Sequence, residues 1–239
     1  KHVYVEGANV GIQATGYSVT LDHVTITKCA AGIKYTDGGS SANLTMISDS
    51  YIGNNGEHGI EFKGSPVHPF LSITRTIITG SRSSGIYCRD THANISIEDS
   101  ELSHNAKSGL ETFQTVGYIN IHRSEILRNR NNGLYIYRIS GNTTIESTQM
   151  KDNYYYTIYY YADDNYRGGP FLLINNSIAG EVNSRQYHAL YFDPYYFDGE
   201  EILIERNTFK DISTSYPALQ IGNRPNYKQS ELNIRITNN

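Results

Sequence analysis

Glu61, Arg89 and Glu111 are the residues whose types could carry bond-breaking chemistry, and they fall at related places in successive repeats of the chain. Alternation along extended segments would put Glu61 and Glu111 in one outward column, about 9–10 Å apart over two strand spacings. Arg89 falls between them, one column over. One carboxylic acid and one carboxylate at such a separation suit an inverting glycosidase. The plainer reading is a set of surface ion pairs that keeps like charges from stacking. That reading is preferred, because no nucleotide, metal or nucleophile–base motif accompanies the three residues. Asp163-Asp164 could donate to Ca²⁺, but one such pair supplies too few of the roughly 6–8 oxygens the ion takes, so it reads as a solvated turn. No metal, cofactor or catalytic role is expected for this segment.

A second constellation suits binding. Phe113, Tyr135, Tyr137, Tyr159, Tyr161 and Tyr191 alternate outward in the same segments, extended by Tyr154–Tyr156 and Tyr195-Tyr196. The chain holds 21 Tyr against 7 Phe and no Trp, so this run is its compositional oddity. Aromatic ladders stabilise a sheet by roughly 0.2–1 kcal/mol per cross-strand pair, yet a solvent-facing wall needs no such series. Aromatics are enriched in interface cores, and large exposed apolar patches mark partners. The expected use is a protein partner or self-association. Carbohydrate comes second, since sugar stacking also favours the Trp that is absent.

The bulk numbers exclude other classes. A formal charge of −4 over 239 residues, with no basic stripe, argues against nucleic acid, which needs clustered Lys and Arg. No apolar run approaches the roughly 18 residues of a spanning helix, so no membrane insertion is expected. With no initiator Met and no signal peptide, the chain reads as a fragment of a larger protein.

The elements that position these residues follow from a repeat. Asn94–Leu102 followed by Ser108–Phe113 matches Tyr118–Ile126 followed by Asn132–Tyr137 at a spacing of 24 residues. A fixed period of this size means one supersecondary unit repeated. The landmark Ile97 has equivalents at Leu21, Ile47, Ile73, Ile121, Ile145, Leu173, Ile204 and Ile234. Three residues later comes a small, hydroxyl or amide residue such as Ser50, Thr76, Ser100, Ser124 or Asn176, and a Gly-Ile segment follows, as in Gly59-Ile60 and Gly85-Ile86. Period-two alternation of β-branched and aromatic residues means strands, three short ones per repeat. Such a coil buries its inward residues only when others stack on it. The leucine-rich repeat has a similar period, and Val116–Ile126 fits its pattern. Yet Gly-Leu-Tyr-Ile-Tyr and Ile-Tyr-Tyr-Tyr are poor helices and good strands.

The pattern I-x-x-[NST]-x-I, then N-N-x-x-x-G-I-x-hydrophobic, resembles the right-handed parallel β-helix repeat of the pectin-lyase-like superfamily over nearly the whole chain. The resemblance implies an all-β fold of about nine three-strand coils in one domain, residues 1–239. The strand before the short turn would be the second, the one after it the third, and the Gly-Ile strand the first of the next coil. Enzymes of this superfamily usually act over the Gly-Ile strand. The polygalacturonase-like motif set is missing here, and the acidic Ca²⁺ cluster of pectate-lyase-like members cannot be assembled. Asn54–Ile60 is loosely similar to the histidine coil of mannuronan epimerases, and Asp193-Pro194 to part of their D-P-H-D motif, with Tyr195 where the His should be. His58 is read as a turn residue.

Four sequons, at Asn43, Asn94, Asn142 and Asn175, read as glycosylation sites of an extracellular, cell-surface protein. Asn94 and Asn142 precede the landmark by three residues. Asn43 lies one further off, explained by a one-residue insertion near Met46-Ile47. Cys29 and Cys88, two coils apart, are beyond disulfide reach and expected free. Among animal proteins with such repeats, the Tyr-rich coils and sequons are most similar to the bark beetle (anakonda) family of tricellular-junction proteins. That resemblance implies adhesion through contacts along the solenoid. The alternatives are a polysaccharide lyase, epimerase or hydrolase, and a passive spacer.

Overall fold

Inward Ile and Leu at every second position leave each short strand with one apolar face, and stacking buries all of them together. The computed structural model describes residues 2–36, 44–64, 69–115, 117–163, 165, 168–180, 188–194, 201–212, 216–222 and 233–239. Among these, the chain is all-β, and three sheets of nine strands each run the length of a solenoid. The first sheet extends from Val10–Thr15 to Leu219–Ile221, the second from Val19–Asp22 to Asn233–Thr237, and the third from Val3–Glu6 to Thr208–Lys210. Successive coils pair in parallel, for example Ile73 with Ile97, Ile97 with Ile121 and Ile121 with Ile145. Those isoleucines are at most 1% exposed and sit in one continuous core. No helix among the described residues is long and apolar enough to cross a membrane.

The turn between the second and third sheets is held by side chains. Ser50 and Thr76 accept the backbone N–H of Val24 and Ser50 on the preceding coil. The series continues through Ser100, Ser124, Thr148, Asn176 and Asn207 to Asn239. A second ladder, unseen in the sequence, joins the third sheet to the first. Asn105 and Asn129 accept the backbone N–H of Ser81 and Asn105, and Asn129 in turn leans on Asn153. These asparagines do more than shape turns. Fully buried, they satisfy backbone groups that no strand pairs with.

The glycine opening each Gly-Ile strand has a steric cause. A Cβ on Gly59, Gly85 or Gly109 would come within 2.7–2.8 Å of a carbonyl oxygen on the next coil. Close backbone approach at that corner therefore selects Gly.

Two register expectations are corrected. Ile204 pairs with Ile236, and Ile234 with Ile202, so the landmark of the last coil lies two residues later than expected. Period-two alternation cannot distinguish the two isoleucines, but only Ile236 brings Asn239 beneath Asn207. After Asn43, the first sequon, the described pairing from Leu44 to Ser48 runs without an insertion. Met46 pairs with Ser72 and Ile47 with Ile73, which puts Leu44, not Asn43, in the column of Phe70 and Asn94.

Candidate functional site

The outward columns of the first sheet match the expectation. Glu61 pairs with Tyr87, Tyr87 with Glu111, Glu111 with Tyr135, Tyr135 with Tyr159, and Tyr159 with Tyr191. Two residues along, Lys63, Arg89, Phe113, Tyr137 and Tyr161 form a parallel column. The preceding coil adds Gln13 and Thr15 below Lys34 and Thr36.

Glu61 and Glu111, the less favoured catalytic alternative, do not form a two-carboxylate centre. Tyr87 occupies the rung between Glu61 and Glu111. Lys63 Nζ lies 2.7 Å and Lys34 Nζ 3.5 Å from Glu61. Burial would raise the Glu61 pKa, but the hydrogen bond and charge of Lys63, with the charge of Lys34, hold it below the usual carboxylate range. A carboxyl kept ionised is no general acid. Glu111 accepts a hydrogen bond from Ser84.

His58, read from the sequence as a turn residue, is where the geometry converges. Its ring stacks on Tyr87 with centroids 4.5 Å apart and planes 13° from parallel. Its Nδ1 is buried without a hydrogen-bond partner. Burial lowers its pKa, opposed by the charges of Glu61 and Glu111 and reinforced by Lys107. A neutral imidazole and a phenol thus lie beside Arg89, two residues along the strand from Tyr87, while Lys63 is held by Glu61. A base, an acid and a positive charge are the groups that proton abstraction next to a carboxylate requires. The missed signal was a diagonal contact between neighbouring coils, which alternation within a single strand does not reveal.

The six aromatic residues do form one ladder. Tyr135 stacks on Tyr159 at 4.9 Å, Tyr159 on Tyr191 at 5.2 Å, Phe113 on Tyr137 at 4.9 Å and Tyr137 on Tyr161 at 4.9 Å. Because the rings cover one another they are half-buried, not fully exposed as expected. Arg89 lies over Phe113 and Arg138 over Tyr137. Tyr154 and Tyr155 are exposed at 37% each and meet edge to face, while Tyr156 leans on Tyr159. Tyr195-Tyr196 lie outside the described residues.

Asp163 is not a solvated turn residue. It is 7% exposed, with Oδ2 2.6 Å from Arg138 Nε on the neighbouring coil, and its Oδ1 accepts the Asn165 N–H. Asp164 lies outside the described residues. Cys29 and Cys88 are both buried and free. Asn94 accepts the Tyr118 N–H, Asn142 is exposed two coils along in the same column, and Asn175 donates to Ser147. Asn43 lies outside the described residues. The ligand atoms of Asp22, His23 and Asp49 lie within 4.8 Å of one another. Asp49, however, receives Arg75 at 2.7 and 2.6 Å, and Asp22 receives Ser48 and contacts His23. These groups form part of a ladder of alternating charge along the turn and do not make a metal cage.

The periplasmic alginate epimerase AlgG shares this fold, with a TM-score of 0.55 at 10% identity over 95% of this chain and 48% of its own. So does the mannuronan C-5 epimerase AlgE4 A-module of Azotobacter vinelandii, with a TM-score of 0.52 at 14% identity over 91% of this chain and 64% of its own. The chain thus spans about half the length of the first of these proteins, and at such identity the likeness concerns the fold. The expectation that the segment is no enzyme does not stand, since solved structures that share its fold include epimerases. No curated protein matches the sequence. The family model described as "Right handed beta helix region" matches residues 8–178, well over half of the chain, and the chain belongs to that family.

Proposed function

We propose that the chain acts on a polysaccharide laid along its first sheet, with His58 and Tyr87 moving a proton at a sugar carbon beside a carboxylate. The observation that carries this reading is the stack of a neutral, buried-edged His58 on Tyr87, with Arg89 two residues further along the same strand. One of the pair takes the proton from the carbon, and Arg89 offsets the charge that spreads onto the carboxylate. Return of a proton to the opposite face inverts the centre. Departure of the neighbouring glycosidic oxygen, protonated by the other member of the pair, instead leaves an unsaturated sugar and a free hydroxyl on the leaving chain. The alginate epimerases of like fold support a uronate substrate and a place outside the cytoplasm.

Incubation with polymannuronate and other polyuronates in D₂O tests the reading. Deuterium should appear at the carbon beside the carboxylate, or unsaturated ends should form, and His58→Ala should abolish either signal. No exchange and no elimination on any polyuronate would refute it.

A second reading rests on Tyr154 and Tyr155, exposed beside the ladder. In a cell-surface protein of the tricellular-junction kind they would dock a protein partner or a second copy, with glycans on the sequons of the second sheet turned elsewhere. Sedimentation and partner capture unchanged by Tyr154→Ser with Tyr155→Ser would remove it.

A further inference from the structure

The outward face of the second sheet carries a groove of its own, enclosing about 390 Å³. Its floor is the column Ser96, Asn120 and Thr144, paired rung by rung on successive coils. These side chains are short, and longer ones stand on either side. Glu98, His122 and Glu146, two residues further along the same strands, make one wall. Phe70 and Tyr118 lie on the other side, their ring centroids 6.2 Å apart across the Asn94 rung. Ser72 extends the polar column by one rung, and Met46 and Leu172 end it.

The chemistry of the groove is that of unengaged hydroxyl and amide groups. Among the described residues, the side chains of Ser96, Asn120 and Thr144 have no hydrogen-bond partner within the chain. Arg123 Nη1 lies 2.7 Å from His122 Nδ1 and can only donate, so Nδ1 accepts and the ring proton sits on Nε2. That Nε2 is 3.9 Å from Glu146 Oε2, too far for a hydrogen bond and suited to a hydroxyl that bridges the two. Arg123 is itself held by Glu98 and Asp99. The lining contains two carboxylates and no Lys or Arg, so an anionic polymer meets like charge there.

We propose that this groove binds a neutral, β-linked sugar chain running across the strands of the second sheet. Neighbouring strands are about 4.8 Å apart, close to the advance of one sugar in an extended β-linked chain. Each sugar thus meets one polar side chain of the floor. Its hydroxyls both donate and accept, as Asn120, His122 and Glu146 require, and its apolar C–H faces have Phe70 and Tyr118 beside them. The site lies on a different wall from His58 and does not rest on the proton-transfer reading.

The test is calorimetry on the chain made in a non-glycosylating host, so that no glycan on Asn94 or Asn142 fills the groove. The probes are cellohexaose, β-linked mannohexaose and hexamannuronate, the last two differing in the carboxylate on each sugar. A neutral hexamer should bind. Asn120→Ala with Thr144→Ala should weaken it by about tenfold or more, as two lost hydrogen bonds imply. Glu146→Gln, which keeps the shape and removes the charged acceptor, should weaken it also, and decides the matter if the double variant unfolds early. Excess hexamannuronate should not displace the neutral hexamer. Binding of neither neutral hexamer, binding indifferent to these substitutions, or displacement by hexamannuronate overturns the proposal. His58-dependent exchange on polymannuronate is followed separately, so either reading can fail alone.

Discussion

His58 lies flat against Tyr87, their ring centroids 4.5 Å apart on neighbouring coils. The covered imidazole loses water, and this desolvation holds its pKa below the ordinary histidine value. The unfolded chain then binds more protons than the folded one as pH falls through about 6.5. The contribution of His58 to stability is therefore complete above that pH and declines below it, through the depressed folded value. An NMR titration should place the His58 midpoint below about 6.5, and Tyr87→Ala should move it upward. A midpoint above the ordinary value would show that Glu61 and Glu111 outweigh burial.

Glu61 is held by Lys63 and Lys34, and Glu111 by Ser84. Neither carboxyl is placed to protonate a leaving group. Glu61→Gln and Glu111→Gln should each keep turnover within about tenfold of the parent, whereas His58→Ala should lower it by the roughly 10²–10⁴ typical of a lost acid–base group. Loss of activity in either Gln variant comparable to that of His58→Ala would restore the two-carboxylate mechanism.

Tyr160 is fully buried, stacked on Phe192 at 4.5 Å, and its hydroxyl has no hydrogen-bond partner. An unsatisfied buried hydroxyl costs about 1–3 kcal/mol. Tyr160→Phe keeps the ring and removes the hydroxyl, so stability should rise by about 1 kcal/mol in urea unfolding. A drop would reveal a partner for the phenol.

The two turn ladders differ in how much each rung supports. Ser124 accepts one backbone N–H and donates to the His122 carbonyl. Asn129 accepts from both the backbone and the side chain of Asn105 and donates to the Leu102 carbonyl and to Asn153. Ser124→Ala should cost about 1–2 kcal/mol and Asn129→Ala about 3 kcal/mol or more, each leaving buried groups unpaired. Equal costs by chemical denaturation would contradict the difference in connectivity.

Asn142 is exposed, whereas Asn94, in the same column, is half-buried with its carbonyl taken by Tyr118. Expression in a glycosylating host should therefore place more glycan on Asn142 than on Asn94, read as site occupancy by mass spectrometry. The reverse order would mean that the Asn94 amide is freer than its hydrogen bond implies.

Much of this architecture was legible in the chain because repetition is a strong signal. From Ile73 to Ile145 the landmark returns at a nearly constant interval, and constant intervals leave one way to stack strands. Where the interval grows, alternation alone is ambiguous. Ile234 and Ile236 face the same way, and the choice between them lies in whether Asn239 reaches Asn207. Asn55, Asn105 and Asn129 stand in the sequence as single residues, but a ladder rung is defined by the residue below it, which lies a whole coil away.

The site divides along the same line. Composition and alternation determined which residues face outward: Glu61, Arg89, Glu111 and the tyrosines appear in their columns because a strand presents every second side chain to each face. Only the stacked coils decided which of them touch. His58 meets Tyr87 diagonally, Asp163 closes on Arg138, and the tyrosine faces cover one another. Those contacts depend on rotamers and corner geometry between coils, quantities that a linear pattern of residue types does not contain.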